Sequence, residues 1–139
     1  VRLRVELDFA AISAAQDHVA AWLEESGLDA SAAYRVRLVL EELLANLVLH
    51  GRFEGRKPLA EIALAIEAGG VTVLLADSAA PFDPRGAPEP APPTLEGDAV
   101  GGLGLALVRR MAEIRGYDQA EDGGNVTRIW IAAGRRADG

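Results

Sequence analysis

The sequence predicts an α+β fold: a two-layer α/β sandwich with helices on one face of a mixed, mostly antiparallel sheet. Three observations carry this. Period-two alternation opens the chain, two long stretches of helical spacing follow it, and later apolar runs fall into pairs around glycine doublets. The resulting order is β-α-α-β-β-loop-α-β-β. With 139 residues and no internal repeat, it makes one domain over 1–139.

Each element has its own signal. "VRLRVELDF" alternates from Val1 to Leu7 and reads as a strand. Asp8 or Ser13 then caps a helix that offers Ile12, Val19, Trp22 and Leu23 to the core and ends at Gly27. Asp29 or Ser31 starts a second helix that runs to Gly51. "PLAEIALAIEAGGVTVLLAD" splits into two strands at Gly69-Gly70, a hairpin signal. The segment at about 81–102 holds six of the seven prolines and no periodicity, which marks a long loop of the kind that serves as a lid. "LGLALVRRMAEI" is a third helix, with Leu103, Leu105, Ala106, Met111 and Ile114 available for the core. "YDQAED" and "NVTRIWIAA" pair around Gly123-Gly124.

Composition narrows the function. Half the residues are hydrophobic and a quarter charged, as in ordinary globular domains. A net charge of −7 argues against sequence-independent nucleic-acid binding. The absence of cysteine excludes disulfides and zinc–thiolate sites. No apolar run is long enough for a bilayer, and no leader pattern opens the chain. A cytoplasmic protein without membrane contact is expected. The first residue is Val1 rather than Met, which leaves a longer parent chain open.

Three motifs carry the candidate chemistry. In "VLEELLANLVLHG", Glu42, Asn46 and His50 recur every fourth residue along one side of the second helix, opposite Leu40, Leu43, Leu44 and Leu47. Either this stripe is solvated, or an Asn oxygen shares Mg²⁺ with a phosphate while a Glu one turn away accepts a proton. In "ADSAAPFDP", Asp77 ends an apolar strand; it is a turn residue or an acceptor for an exocyclic amine such as that of adenine. In "VGGLGLALVRR", glycines precede a helix, where free N–H groups bind phosphate, although a hinge explains them equally well. Neither a Rossmann fingerprint nor a P-loop is present.

The order of these motifs is more specific than any one of them. Helical E-x-x-x-N, a strand-end D-x-A-x-P-F-D-P, a proline-rich lid and G-G-L-G-L opening a helix resemble the Bergerat ATP-binding fold of topoisomerase, histidine kinase and anti-sigma factor kinase ATPase domains. The resemblance covers nearly the whole chain. "EELLANLVLHG", "PFDP", "GGLGLALVRRM" and "DGGNVTRIWI" look most like the anti-sigma factor serine/threonine kinases. The resemblance implies ATP and Mg²⁺ as cofactors, Glu42 as general base, Asn46 as the metal ligand and Asp77 as the adenine reader. It places Ala79, Phe82, Gly101, Gly102, Gly104, Leu105 and Thr127 around the nucleotide. His50 stays open between a phosphate or lid contact and a helix-end role. One position departs from the family, which commonly has Gly two residues after the adenine-binding Asp; here Ala79 adds a β-carbon that crowds the base or restricts φ.

The implied function is transfer of the ATP γ-phosphoryl group to Ser or Thr of a STAS-type anti-anti-sigma factor, controlling a sigma factor by partner switching. The resemblance leaves a sigma factor and a second copy of the chain open as further partners. The alternatives are a protein-binding module without kinase activity and a regulatory ATPase domain cut from a larger sensor or phosphatase. A histidine kinase would need a phosphoacceptor helix, and His18, in an Ala-rich amphipathic helix, lacks the context for one.

Overall fold

The computed structural model describes residues 1–81, 100–120 and 123–134, with 100–105 described by their backbone alone. The elements are β1 (Arg2–Glu6), α1 (Phe9–Ser26), α2 (Ala30–His50), β2 (Leu59–Glu67), β3 (Gly70–Asp77), α3 (Val100–Met111), β4 (Glu113–Gln119) and β5 (Asn125–Ala132), in the predicted order.

Local chemistry sets the helix ends. Asp8 is extended, and its Oδ1 accepts from the Ala11 N–H at 2.7 Å, so Asp8 rather than Ser13 caps α1. Gly27 closes α1 at φ +78°, a conformation that glycine adopts without a side-chain clash. Asp29 holds the N-cap position of α2 without a side-chain cap bond. Its Oδ1 instead accepts from the N–H of Gly134 at 3.0 Å and ties the start of α2 to the chain beyond β5.

The sheet order is β1-β2-β3-β5-β4, and every pairing is antiparallel, so the sheet is not mixed. The reason lies in the connections. The α1–α2 pair returns the chain to run against β1, and α3 carries it across to β4. β5 then folds back between β3 and β4, separating two strands that would otherwise lie parallel. The β2–β3 turn also differs from expectation by one position. Glu67 faces Gly70, so Ala68 and Gly69 form the two-residue turn with φ of 51° and 79°. Gly70 is required for another reason: a Cβ there would lie 2.6 Å from the Trp130 ring.

At the other end of the chain, α3 stops at Met111 and β4 begins at Glu113, so Ile114 reaches the core from a strand rather than a helix. A register shift between Ile114 and Gly116 bulges β4. The helix also begins at Val100, inside the expected lid, which reached to 102. The rest of that lid, Phe82 included, lies outside the described residues.

The core fills the space between the helices and the inner sheet face. Ile12, Val19 and Leu23 of α1 and Val36, Leu40 and Leu44 of α2 meet Ile62, Val71, Val73, Ile129 and Ile131. Alternation along each strand sends these residues inward. Each such side chain contributes about 1.5–3 kcal/mol on burial. Trp22 and Met111 pack partly against this cluster, and Val108 joins it from α3. The side chains of Leu103 and Leu105, expected in the core, lie outside the described residues. No helix among the described residues is long and apolar enough to cross a membrane.

Candidate functional site

The last residue of β3 sits where three segments meet. Asp77 pairs with Ala60 of β2 on one side and Asn125 of β5 on the other. The three residues that follow it are fixed to their neighbours. The Ser78 N–H donates to Leu59 O at 3.1 Å, and the Ala80 N–H donates to Arg52 O at 2.6 Å. The Ser78 hydroxyl donates to Lys57 O at 2.8 Å and accepts from the Leu59 N–H at 2.9 Å. A strand end sewn down in this way holds its carboxylate in one place.

That carboxylate is held by one oxygen. Oδ1 of Asp77 accepts from the Ala79 N–H at 3.0 Å and from Asn125 Nδ2 at 2.9 Å. Oδ2 has no hydrogen-bond partner among the described residues. Asn125 is only 2% exposed, and its Nδ2 also donates to Ala79 O at 3.2 Å and Ala80 O at 3.1 Å. Its Oδ1 accepts in turn from the Tyr117 hydroxyl of β4. Burial raises the pKa of Asp77 above the ordinary carboxylate value, while the Asn125 amide and the Ala79 N–H pull it back.

Thr127 lies two residues beyond Asn125 on the same inner face and is buried, so β5 presents both residues beside the strand end. Gly124 is needed here because a Cβ would collide with Asp77 O. Ala79 is buried, but its φ is not positive, so the β-carbon imposes no left-handed strain. The concern about restricted backbone at this departure is therefore lifted.

The α2 stripe divides. Leu40, Leu43 and Leu44 are buried, Glu42 and Asn46 are half-buried, and His50 is exposed at the helix end. The side chains of Glu42 and Asn46 make no hydrogen bond among the described residues. α2 packs against α3 and over β5, the strand that carries Asn125 and Thr127. In α3, Gly101 and Gly102 fall in the first turn, whose N–H groups have no partner within the helix, whereas Gly104 and Leu105 lie deeper. Among the described residues no group of three acidic or histidine side chains could hold a metal. Mg²⁺ held by Asn46 and phosphates would not need one.

The structure thus brings Asp77, Ala79 and Thr127 together at one end of the sheet, leaves Glu42 and Asn46 on the helix above β5, and sets His50 in solvent. His18 is exposed. Arg110 is exposed and Arg109 half-buried, and Arg109 is engaged by other groups. Sequence reasoning missed Asn125 and Tyr117 as partners of the carboxylate. The signal was present in "DGGN", where a polar residue opens an otherwise apolar strand.

An antiparallel sheet with helices packed against it, and a fixed carboxylate at a strand end, is an α+β fold consistent with that of an ATPase domain. The chain belongs to the histidine kinase-like ATPase domain family, which matches residues 5–131. Among solved structures, the chain is similar to the histidine kinase domain of the Erythrobacter litoralis EL346 blue-light activated histidine kinase. The identity is 25% and the TM-score 0.46, over 73% of this chain and 44% of that one. The chain therefore spans less than half the length of that relative. No curated protein matches it.

Proposed function

We propose that the chain binds Mg·ATP and acts as a serine/threonine protein kinase of the anti-sigma factor type, in the cytoplasm. Its substrate would be a STAS-type anti-anti-sigma factor, with a sigma factor and a second copy of the chain as further partners. The observation that carries the nucleotide reading is Asp77: its Oδ1 is saturated by Ala79 and Asn125, which leaves Oδ2 as an acceptor for the adenine amine. Family membership supports the ATP reading. The serine/threonine and anti-sigma assignments rest on the sequence resemblance.

ATP supplies the phosphoryl group, and Mg²⁺ neutralises charge on its phosphates. Asp77 and Thr127 orient the base. Asn46 offers a carbonyl oxygen to the metal. The first-turn N–H groups of α3, at Gly101 and Gly102, face anionic charge favourably. Glu42 accepts the proton of the attacking Ser or Thr hydroxyl as the new O–P bond forms and ADP departs. Most of the catalysis is positioning, as expected for phosphoryl transfer.

Glu42→Gln tests this reading. Binding of Mg·ATP and of the protein partner is expected to stay near the parent values, while transfer slows by roughly 10²-fold or more. Asn46→Ala is expected to lose Mg²⁺-dependent nucleotide affinity as well. Phosphorylation of the partner by Glu42→Gln at the parent rate removes Glu42 as the base. A parent protein that binds its partner but never phosphorylates it is a binding module instead.

A further inference from the structure

A groove of ≈ 1000 Å³ runs between α1 and α2, and none of the predicted nucleotide residues lines it. On its α1 side lie Phe9, Ile12, Gln16, Ala20 and Leu23, spaced by three and four residues. On its α2 side Ala30, Tyr34, Leu38, Glu41 and Ala45 repeat the same spacing. Such a stripe is the seam one helix offers another. Here two adjacent helices offer it together and nothing among the described residues fills it. The alanines keep the floor low, while Phe9 and Tyr34 stand exposed by 58% and 62%.

Two further features describe what fits. Gln16 is only 9% exposed, and its Nε2 donates to Arg37 O at 2.8 Å, while its buried Oε1 has no hydrogen-bond partner among the described residues. The groove's ionisable lining is acidic by count, with Glu24, Asp29 and Glu41 against Arg37, and Glu24 is already engaged by other groups.

We infer that this groove is a docking site for an amphipathic helix of a partner protein, with a basic flank. Helix-in-groove recognition uses apolar anchors at this spacing, and aromatic residues that become buried on binding supply much of the contact energy. The α1 stripe from Phe9 to Leu23 is about 21 Å long at about 1.5 Å per residue, which suits a helix of roughly four turns. Lys or Arg on the occupant answers the acidic lining. A second copy of this chain fits poorly, because its own α1–α2 face would set Glu24, Asp29 and Glu41 against their like. The inference is independent of the nucleotide reading.

The test uses a fluorescein-labelled 16-residue Leu/Lys peptide with three–four apolar spacing, titrated into the nucleotide-free protein and followed by anisotropy. The parent is expected to bind it. Replacing every Lys of the peptide by Glu is expected to weaken binding by roughly tenfold or more, and Glu41→Lys by roughly three- to tenfold. Ala33→Arg, which fills the floor, is expected to weaken binding at least about tenfold. If Ala33→Arg fails to fold by circular dichroism, Tyr34→Ala at an exposed position replaces it, with loss of binding again expected. Equal binding by parent and groove variants, equal binding of the acidic and basic peptides, or no binding by the parent overturns the inference. So does sedimentation showing a parent dimer that Ala33→Arg splits, since the face then belongs to a second copy.

Discussion

Asn125 and Asp77 stand directly opposite each other on β5 and β3, and the Asn125 amide donates to the carboxylate over 2.9 Å. The bond fixes more than a distance. It commits one carboxylate oxygen to the protein and leaves the other without a partner among the described residues.

Asp77→Asn is therefore a change of sign at the ligand rather than a mild loss. The new side chain's oxygen is expected to take the place of Oδ1, because Ala79 and Asn125 both offer donors there. Its NH₂ group then points where Oδ2 did, toward the amine of adenine. Calorimetry is expected to show ATP affinity reduced at least about tenfold, and more than Glu42→Gln reduces it. Inosine triphosphate, which carries a carbonyl at that position, is expected to lose much less. Equal losses for the two nucleotides would remove Asp77 from base recognition.

The same substitution has an opposite effect on the fold. Burial raises the pKa of Asp77, so the folded protein binds this proton more tightly than the unfolded chain. The stability linked to it is complete below the ordinary carboxylate range and is lost as pH rises through the folded-state pKa. At pH 7 the parent carries a desolvated charge that Asn lacks. Asp77→Asn is expected to melt above the parent at pH 7, with the difference shrinking as the pH is lowered through carboxylate titration. Thermal scans across pH check this, and a constant difference would contradict it.

Asn125→Ala is expected to destabilise the domain by about 1–3 kcal/mol, because it leaves Ala79 O and Ala80 O without the buried donor they share. Tyr117→Phe removes the hydroxyl that donates to Asn125 Oδ1 and is expected to cost about 0.5–1.5 kcal/mol. Urea melts distinguish the two, and the reverse ranking would show that the network is organised around Tyr117.

The β2–β3 turn gives a prediction of the other sign. Ala68 holds φ 51°, where a β-carbon is unfavourable. Ala68→Gly relieves that strain while loosening the unfolded chain, and Ala68→Asn relieves part of it without the same loosening. Ala68→Asn is expected to gain up to about 1 kcal/mol in urea melts, with nucleotide binding unchanged.

Much of this architecture is legible in local pattern. Asp8 and Gly27 announce the ends of α1, and the alternation of "VTVLLAD" gives a strand that ends on Asp77. The misses have a shared cause. Whether a turn falls at Ala68-Gly69 or Gly69-Gly70 depends on which residues face each other across the hairpin, and both choices contain glycine. Ile114 suits a helix face or a strand face, and only its pairing with Ile129 decides. The role of Asn125 depends on register with a strand 48 positions earlier in the chain, which no local spacing reveals. Gly104 lies one turn into α3 because the helix begins three residues before the expected Leu103.

β5 is synthesised last among the strands but lies second from the edge of the sheet, between β3 and β4. On the ribosome, Asp77 is made 48 residues before Asn125. At about 5–20 residues per second, that gap lasts roughly 2–10 s. Through that interval β1, β2 and β3 have only each other, and the apolar β3 presents an open edge to the cell. The strand that completes the carboxylate network is the same one that covers this edge. A nascent chain stopped before Asn125 therefore has neither a finished site nor a protected sheet.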